Sequence, residues 1–396
     1  MLDSNDRQPG LIAPSDVRTQ VFMAQQLDLV VIGGGVIGAG ISWRAAQRGW
    51  KVAIVDAGHR DQGMASWAAA GMLAPVAEAE LEHSAAFMAL ALESQGRWES
   101  FARELHQASG IDPGYDPCGS VLVALDTDDE RQLQHRAVRL ERLGLPVEFW
   151  SGTTARAMEP MLAPQVTAAL LCADDAQVDN RAVVRGLHAA ASAAGALWID
   201  DTVTAVRAVR DRWEAVCAHR TLMADRVVLA AGAWSGSLTA GLQPVRVPIR
   251  PVSGQMLSLA WDPLTGRSLS RVLRAPDVYL APKLDRVVVG ATSEERGFAS
   301  RLTGLGLHRL LEGTRETCPG LLELEIIESW VGLRPASRDN EPIMGQALPG
   351  LFVATGHYRN GIQLAPASID RMAACLLDNQ PEATAGFEPS RFFLPR

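Results

Sequence analysis

The sequence is poor in the features that announce several large protein classes. Its five cysteines, Cys118, Cys172, Cys217, Cys318 and Cys375, are scattered, odd in number and free of CxxC pairs. Neither a disulfide framework nor a zinc site is indicated, no metal is expected, and a reducing cytoplasm suits such thiols. No apolar run reaches the length of about 18 residues that a bilayer span needs, because glycine or charge interrupts each candidate. Residues 1–26 carry Pro9, Gly10 and Pro14 without a basic start or continuous apolar segment, so they read as a flexible extension and not a secretory signal. No basic block stands out, and 37 basic against 45 acidic residues leave a net charge of −8, which argues against nucleic acid as a partner. No internal repeat is found, which sets solenoids aside.

What is present is an ordinary globular composition, 47% hydrophobic and 21% charged, in a chain of 396 residues, long enough to predict two domains. The organising stretch is Leu27 to Gly58: an apolar run, a glycine turn, a helical segment and a second apolar run ending in an acid. This is the pattern of a nucleotide-binding βαβ unit. In Gly33-x-Gly35-x-x-Gly38, the first glycine permits the tight turn, the second admits a pyrophosphate to the backbone, and the third lets helix and strand pack closely. Val36 and Ile37 open the helix, whose amides face the phosphates. Asp56 is suited to accept hydrogen bonds from the adenosine ribose and to repel a 2′-phosphate, so the residues point to FAD or NAD(H) over NADP(H).

Further along, Ala65 to Pro75 (ASWAAAGMLAP) reads either as a close approach of backbone to a flat ligand or as a small-residue helix start. His83 to Gly110 predicts one long amphipathic helix. A strand at Gly119 to Leu125 and a helix at Asp128 to Leu143 open a second unit. The α/β pattern resumes with Val166 to Cys172, Arg181 to Ala194 and the apolar core strand Arg226 to Ala231. Val245 to Ala260, Arg271 to Arg274, Val278 to Ala281 and Arg286 to Gly290 predict an antiparallel sheet, and Ile362 to Leu377 a final helix. The fold class is therefore α/β, with a Rossmann-like domain drawn from residues 27–110, 166–242 and 328–380, interleaved with an antiparallel-sheet domain from 111–165 and 243–327.

Four stretches together, the glycine turn, Ala65 to Pro75, Trp330 to Gly345 (WVGLRPASRDNEPIMG) and Ala354 to Pro366 (ATGHYRNGIQLAP), closely resemble the D-amino acid oxidase superfamily of flavoproteins. Within it they resemble the glycine oxidases associated with making the thiazole ring of thiamine. The similarity runs from about Leu27 to Leu377. It implies non-covalent FAD, hydride transfer from the Cα of a small amine (glycine, sarcosine or a small D-amino acid) to the flavin, and dioxygen as acceptor. It also implies a homo-oligomer by analogy.

Taken alone, Arg334 is a guanidinium able to grip a carboxylate bidentately or a solvated member of a charged loop with Arg338, Asp339 and Glu341. The resemblance implies the first, with Tyr279 in the same pocket and Arg359 reaching it. It further implies that Ala70, Gly71 and Met72 line the flavin and the active-site roof, that Ser66 meets the phosphates and that Val203 lies on the adenine side. His357, Tyr358, Arg359, Asn360, Gly361, Ile362 and Gln363 would wrap the ring, with the dipole of a helix beginning at Ile362 behind it. His357 has no acidic or nucleophilic partner in sequence and is not expected to be a catalytic base. Ala230 to Trp234 (AAGAW) reads equally well as a core strand ending in a turn. Three other readings remain: a dehydrogenase passing electrons to a quinone, an NAD-dependent oxidoreductase, and a non-catalytic flavin-binding protein.

Overall fold

The computed structural model describes residues 26–57, 64–79, 83–262, 264 and 266–393. The expected N-terminal extension lies outside the described residues except for Gln26. Among the described residues the chain builds two eight-stranded sheets and one two-stranded sheet.

The first sheet grows around the organising stretch. Strand Leu27–Ile32 (β1) leads through the glycine turn into helix Val36–Gln47 (α1) and strand Val52–Asp56 (β2). β1 lies between β2 and strand Thr221–Leu229, parallel to both, and Leu351–Thr355 and Leu197–Asp200 extend the parallel sheet on either side. Ile343–Leu348 closes one edge antiparallel. The central strands are nearly continuous apolar runs because both faces are covered. On one face Leu29, Val31 and Ile54 pack with Trp43 of α1, with Trp98 and Phe101 of helix Ala85–Ser109, and with Ile369 and Met372 of helix Ala365–Leu377. On the other, Val30, Ile32 and Val55 pack with Trp213 and Leu351. The long helix runs where its periodicity predicts it, capped by the Ser84 hydroxyl and ended by Gly110 in the left-handed region.

The second sheet has the order Ile326–Ala336, Arg250–Ala260, Arg286–Gly290, Tyr279–Pro282, Val272–Arg274, Ser120–Ala124, Ala168–Cys172, Glu148–Ser151. Its pairs are antiparallel except that Val272–Arg274 runs parallel to Ser120–Ala124. Two of its strands, Ala168–Cys172 and Ile326–Ala336 from Glu328 onward, come from segments that the sequence pattern grouped with the nucleotide-binding unit. The strand expected from Val245 begins at Arg250.

The final helix begins at Ala365, not Ile362. Residues 361–364 form a turn in which the Leu364 N–H bonds the Asn360 carbonyl, and Pro366 occupies the first helical turn, where its fixed φ is tolerated. The positive end of the helix therefore sits three residues beyond the expected position.

Candidate active site

A cavity of about 790 Å3 runs from the glycine turn of the first sheet to the open face of the second. Its size falls within the range usual for small-molecule sites. At one end are Gly33, Gly35, Val36, Ile37 and Asp56, with Ser66 and Val203 beside them. Gly33 adopts φ +106°, and a Cβ there would lie 2.4 Å from the Ala230 carbonyl oxygen, so only glycine fits. Gly38 does not line the cavity. A Cβ on it would stand 2.0 Å from the Gly33 carbonyl oxygen, so its role is to seat α1 against the turn. Gly35 differs from both: among the described residues a Cβ there meets only the Ser66 hydroxyl, at 3.3 Å, and otherwise enters the cavity. The Ser66 Oγ accepts from the Val36 N–H at 3.1 Å, and the Asp56 Oδ2 accepts from the Gly34 N–H at 2.7 Å.

The ASWAAAGMLAP stretch begins as a short helix at Ala65–Ala68, as the second of its readings expects, and continues as extended backbone through Met72–Leu73. Ala70, Gly71 and Met72 line the cavity. Gly71, at φ +72°, passes so close to Val178 that a Cβ would lie 2.1 Å from its carbonyl oxygen. That neighbour is itself fixed, since the buried Lys283 ammonium donates to the Val178 carbonyl and the Gln177 amide oxygen, both at 2.8 Å. Burial brings Lys283 down to about 7.

The second sheet supplies a row of directly opposed residues, Arg274, Tyr279, Gly290, Met256 and Trp330. Opposed residues in antiparallel strands share a face. Two positions along the Met256 and Trp330 strands, Gly254 and Gly332 continue that face and Arg334 follows, while Thr292 lies two residues past the end of Arg286–Gly290. Every one of these except Trp330 lines the cavity. The glycines make room for the large side chains: a Cβ on Gly254 would lie 2.4 Å from the Arg334 Nη1, and one on Gly290 would lie 2.4 Å from the Tyr279 hydroxyl. Arg334 thus lies across the sheet over Gly254, and its Nη1 donates to the Thr292 carbonyl at 3.1 Å. It does not belong to the charged loop, where Asp339 pairs with Arg391 and the Glu341 carboxylate receives the Ser84 N–H and hydroxyl. The Tyr279 hydroxyl donates to the Met256 sulfur at 3.7 Å. Burial pushes that hydroxyl up, outweighing the opposing pull of Arg334 and Arg274, so it stays protonated and able to donate.

His357, Tyr358, Arg359, Asn360, Gly361, Ile362 and Gln363 line the cavity between the two sheets. Arg359 is exposed, stacks on the Tyr358 ring at 5.0 Å, and also borders a smaller neighbouring hollow with His83 and Asp339. His357 is buried, with its Nε2 3.1 Å from the Ser368 hydroxyl, and burial brings it down to about 3. Its folded value lies below the ordinary 6.5, so the unfolded chain takes up more protons between those limits. Stability is therefore lost as pH falls through that window. His357→Gln should flatten the decline of Tm between pH 7 and 4; parallel declines in variant and parent would contradict this.

Sequence reasoning did not single out Glu78, Met256, Gly254, Arg274 or Thr292 as cavity residues, and Ala230 to Trp234, left undecided, lines it as well. No local signal marked the first group, because strand register brings Met256, Gly254 and Arg274 to the cavity while Glu78 and Thr292 reach it from the loops after Leu73 and Gly290. Among the described residues, no group of three or more His, Cys, Asp or Glu side chains is placed to hold a metal, and no helix is long and apolar enough to cross a membrane.

A parallel sheet with a glycine-turn cradle, joined by one cavity to a second sheet bearing Arg334 and Tyr279, defines a dinucleotide-dependent oxidoreductase. The chain belongs to the FAD dependent oxidoreductase (DAO) family, whose model matches residues 28–375. It is 34% identical over 363 residues to the Nostoc bifunctional protein ThiO/ThiG, covering 90% of this chain and 53% of that one. The chain spans about half the length of such bifunctional relatives. It is also 34% identical to the glycine oxidase of Geobacillus kaustophilus, over 87% of this chain and 91% of that enzyme. The crystal structure of glycine oxidase from that organism superposes with a TM-score of 0.84 at 31% identity, covering 94% and 99% of the two chains. The iminodiacetate oxidase of Chelativorans sp. BNC1 superposes at 0.82 with 27% identity, covering 91% and 98%.

FAD is thus the cofactor of this oxidoreductase. The residues present fit it: the open face of Gly35 leaves the space that a pyrophosphate needs, and Asp56 lines the same end of the cavity.

Proposed function

We propose that this protein oxidises glycine and other small amines, such as sarcosine and small D-amino acids, using dioxygen as acceptor. Overall, glycine, dioxygen and water give glyoxylate, ammonia and hydrogen peroxide; the imine formed first can instead be taken up for thiazole synthesis in making thiamine. The observation that carries this reading is the Arg334 guanidinium, laid over Gly254 on the cavity face of the second sheet, one side of Tyr279.

FAD, when bound, supplies the acceptor for the hydride leaving the substrate Cα. Arg334 grips the substrate carboxylate through parallel N–H donors, and the protonated Tyr279 hydroxyl turns from the Met256 sulfur to add a third. Arg359 approaches the site from the exposed side, and Met72 roofs it. Gly33, Gly35, Val36 and Ile37 cradle the pyrophosphate on the seat provided by Gly38, Ser66 meets the phosphates, Asp56 the ribose, and Val203 the adenine side. Ala70, Gly71 and the His357–Gln363 segment hold the ring system. Since His357 stays neutral and faces Ser368, the reaction relies on a substrate amine that enters unprotonated, and the protein contributes orientation and electrostatics.

In this reading residues 27–110, 166–242 and 328–380 serve the cofactor and 111–165 and 243–327 the substrate, with the two crossing strands joining them. The protein works in the cytoplasm as a homo-oligomer. The test is the visible spectrum of the purified protein, anaerobically before and after glycine and then in air. Flavin bands that bleach and return with peroxide are expected. Bands untouched by glycine, sarcosine and D-alanine would overturn the reading.

A further inference from the structure

The end of the cavity beyond Tyr279 holds a second guanidinium. Arg274 stands directly opposite Tyr279 on the neighbouring strand, while the Arg334 strand lies on the other side of the Tyr279 strand. The two arginines therefore approach one hydroxyl from opposite sides, and the charges of both act on it. Arg274 is not a free cation. Its Nη1 donates to the Glu78 Oε1 at 2.5 Å and lies 3.9 Å from the Met72 sulfur. Both partners line the cavity, with side chains only 21% and 15% exposed. The other carboxyl near this arginine, Asp175, is fully buried and held by the Val76 and Ala77 N–H groups, so it does not face the cavity as Glu78 does.

A substrate whose carboxylate rests on Arg334 points its amine substituent past Tyr279 toward this pair. A neutral methyl group meets Met72 and a neutralised ion pair. A second carboxylate would meet the Glu78 charge, with the Arg274 donor already engaged. Like charges at close quarters in a desolvated site are strongly disfavoured.

We infer that the Glu78–Arg274 pair is a specificity filter that restricts the enzyme to amino acids with uncharged substituents on the amine, and that Glu78 masks a latent binding site for a second carboxylate at Arg274. The inference rests on Arg334 taking the first carboxylate. It names the two residues that set the substrate class, and predicts an exchange of specificity when either is neutralised. Glu78→Gln keeps an acceptor for Arg274 but removes the negative charge, so a distal carboxylate is admitted. Arg274→Gln leaves Glu78 unmatched, so a distal ammonium is admitted.

The experiment compares FAD-loaded parent, Glu78→Gln and Arg274→Gln on sarcosine, iminodiacetate and N-(2-aminoethyl)glycine, reading kcat/KM by oxygen uptake. For the parent, sarcosine should exceed iminodiacetate. Glu78→Gln should raise the iminodiacetate-to-sarcosine ratio by about tenfold or more, the effect of about 1.4 kcal/mol, and Arg274→Gln should raise the aminoethylglycine-to-sarcosine ratio similarly. Binding is read independently by calorimetry with butyrate and glutarate, unreactive carbon analogues of sarcosine and iminodiacetate; glutarate should gain on butyrate in Glu78→Gln alone. Each variant tests the filter if the other fails to fold. Ratios unchanged in a folded variant that still oxidises sarcosine, or a parent that prefers iminodiacetate, would overturn the filter and leave the amine-oxidase reading intact. A parent inert toward all three amines and glycine would overturn both.

Discussion

Arg334→Leu should lower kcat/KM for glycine by about two to three orders of magnitude while the protein remains yellow. Truncating one partner of a desolvated, hydrogen-bonded charge pair costs about 2–5 kcal/mol, and leucine offers the carboxylate no donor. The loss should fall mainly on KM if Arg334 serves binding in ground and transition states alike, and on kcat as well if it sets the angle at which Cα meets the ring. The fold should tolerate the change, because Arg334 is only half-buried and, among the described residues, pairs with the Thr292 carbonyl and the Tyr279 hydroxyl and with no carboxylate. Arg334→Lys would retain the charge but not the paired donors, and should recover part of the loss. Steady-state oxygen uptake with the flavin spectrum as a control decides it. Glycine kinetics unchanged in a flavin-replete Arg334→Leu protein would remove the carboxylate assignment and with it the proposed orientation.

The second large effect is expected at Gly35. Gly35→Leu should yield a folded, colourless protein whose affinity for FAD is reduced on the order of 100-fold, near the upper end of the ~1–3 kcal/mol cost of forcing a side chain into occupied space. The prediction separates the three glycines of the turn. A side chain on Gly33 or Gly38 would collide with backbone, at 2.4 Å and 2.0 Å from carbonyl oxygens, so those substitutions should damage the fold itself. At Gly35 the only near neighbour among the described residues is the Ser66 hydroxyl, and what the side chain fills is the space proposed for the pyrophosphate. Far-ultraviolet circular dichroism and a thermal melt without added FAD should match the parent, while the flavin absorbance should not. A yellow Gly35→Leu protein would show that the cofactor does not approach the backbone there.

The two predictions draw on different kinds of information. The Gly35 argument was available from the sequence, because a βαβ unit is local. The change from apolar runs to helical period, the three glycines between them and the acid closing the second run all fall within Leu27 to Asp56, and each has a short-range mechanical reason. The long helix ending at Gly110 was legible for the same reason, its apolar stripe and left-handed cap being written within one segment. The two-residue strand Ala176–Gln177, in contrast, left no mark in the sequence pattern, because two residues carry no period. The start of the last helix was misplaced by three residues, since Gly361 to Leu364 have helical character while their backbone closes a turn.

Arg334 and Tyr279 could be named as candidates in the sequence, but nothing local there made them neighbours. They lie on strands separated by two others, and their meeting depends on the registers that set Tyr279 against Gly290, Gly290 against Met256, and Met256 against Trp330. A shift of one residue in any of these pairings would turn a side chain to the opposite face. Arg274 and Glu78 show this most clearly, because neither sits in a recognisable motif and both reach the cavity through the same registers and the loop after Met72. Local chain chemistry thus specified the glycine turn proposed to cradle the cofactor, whereas the proposed substrate end, with Arg334, Arg274 and the Glu78 carboxylate paired to the latter, came into being when distant strands took their places in one sheet.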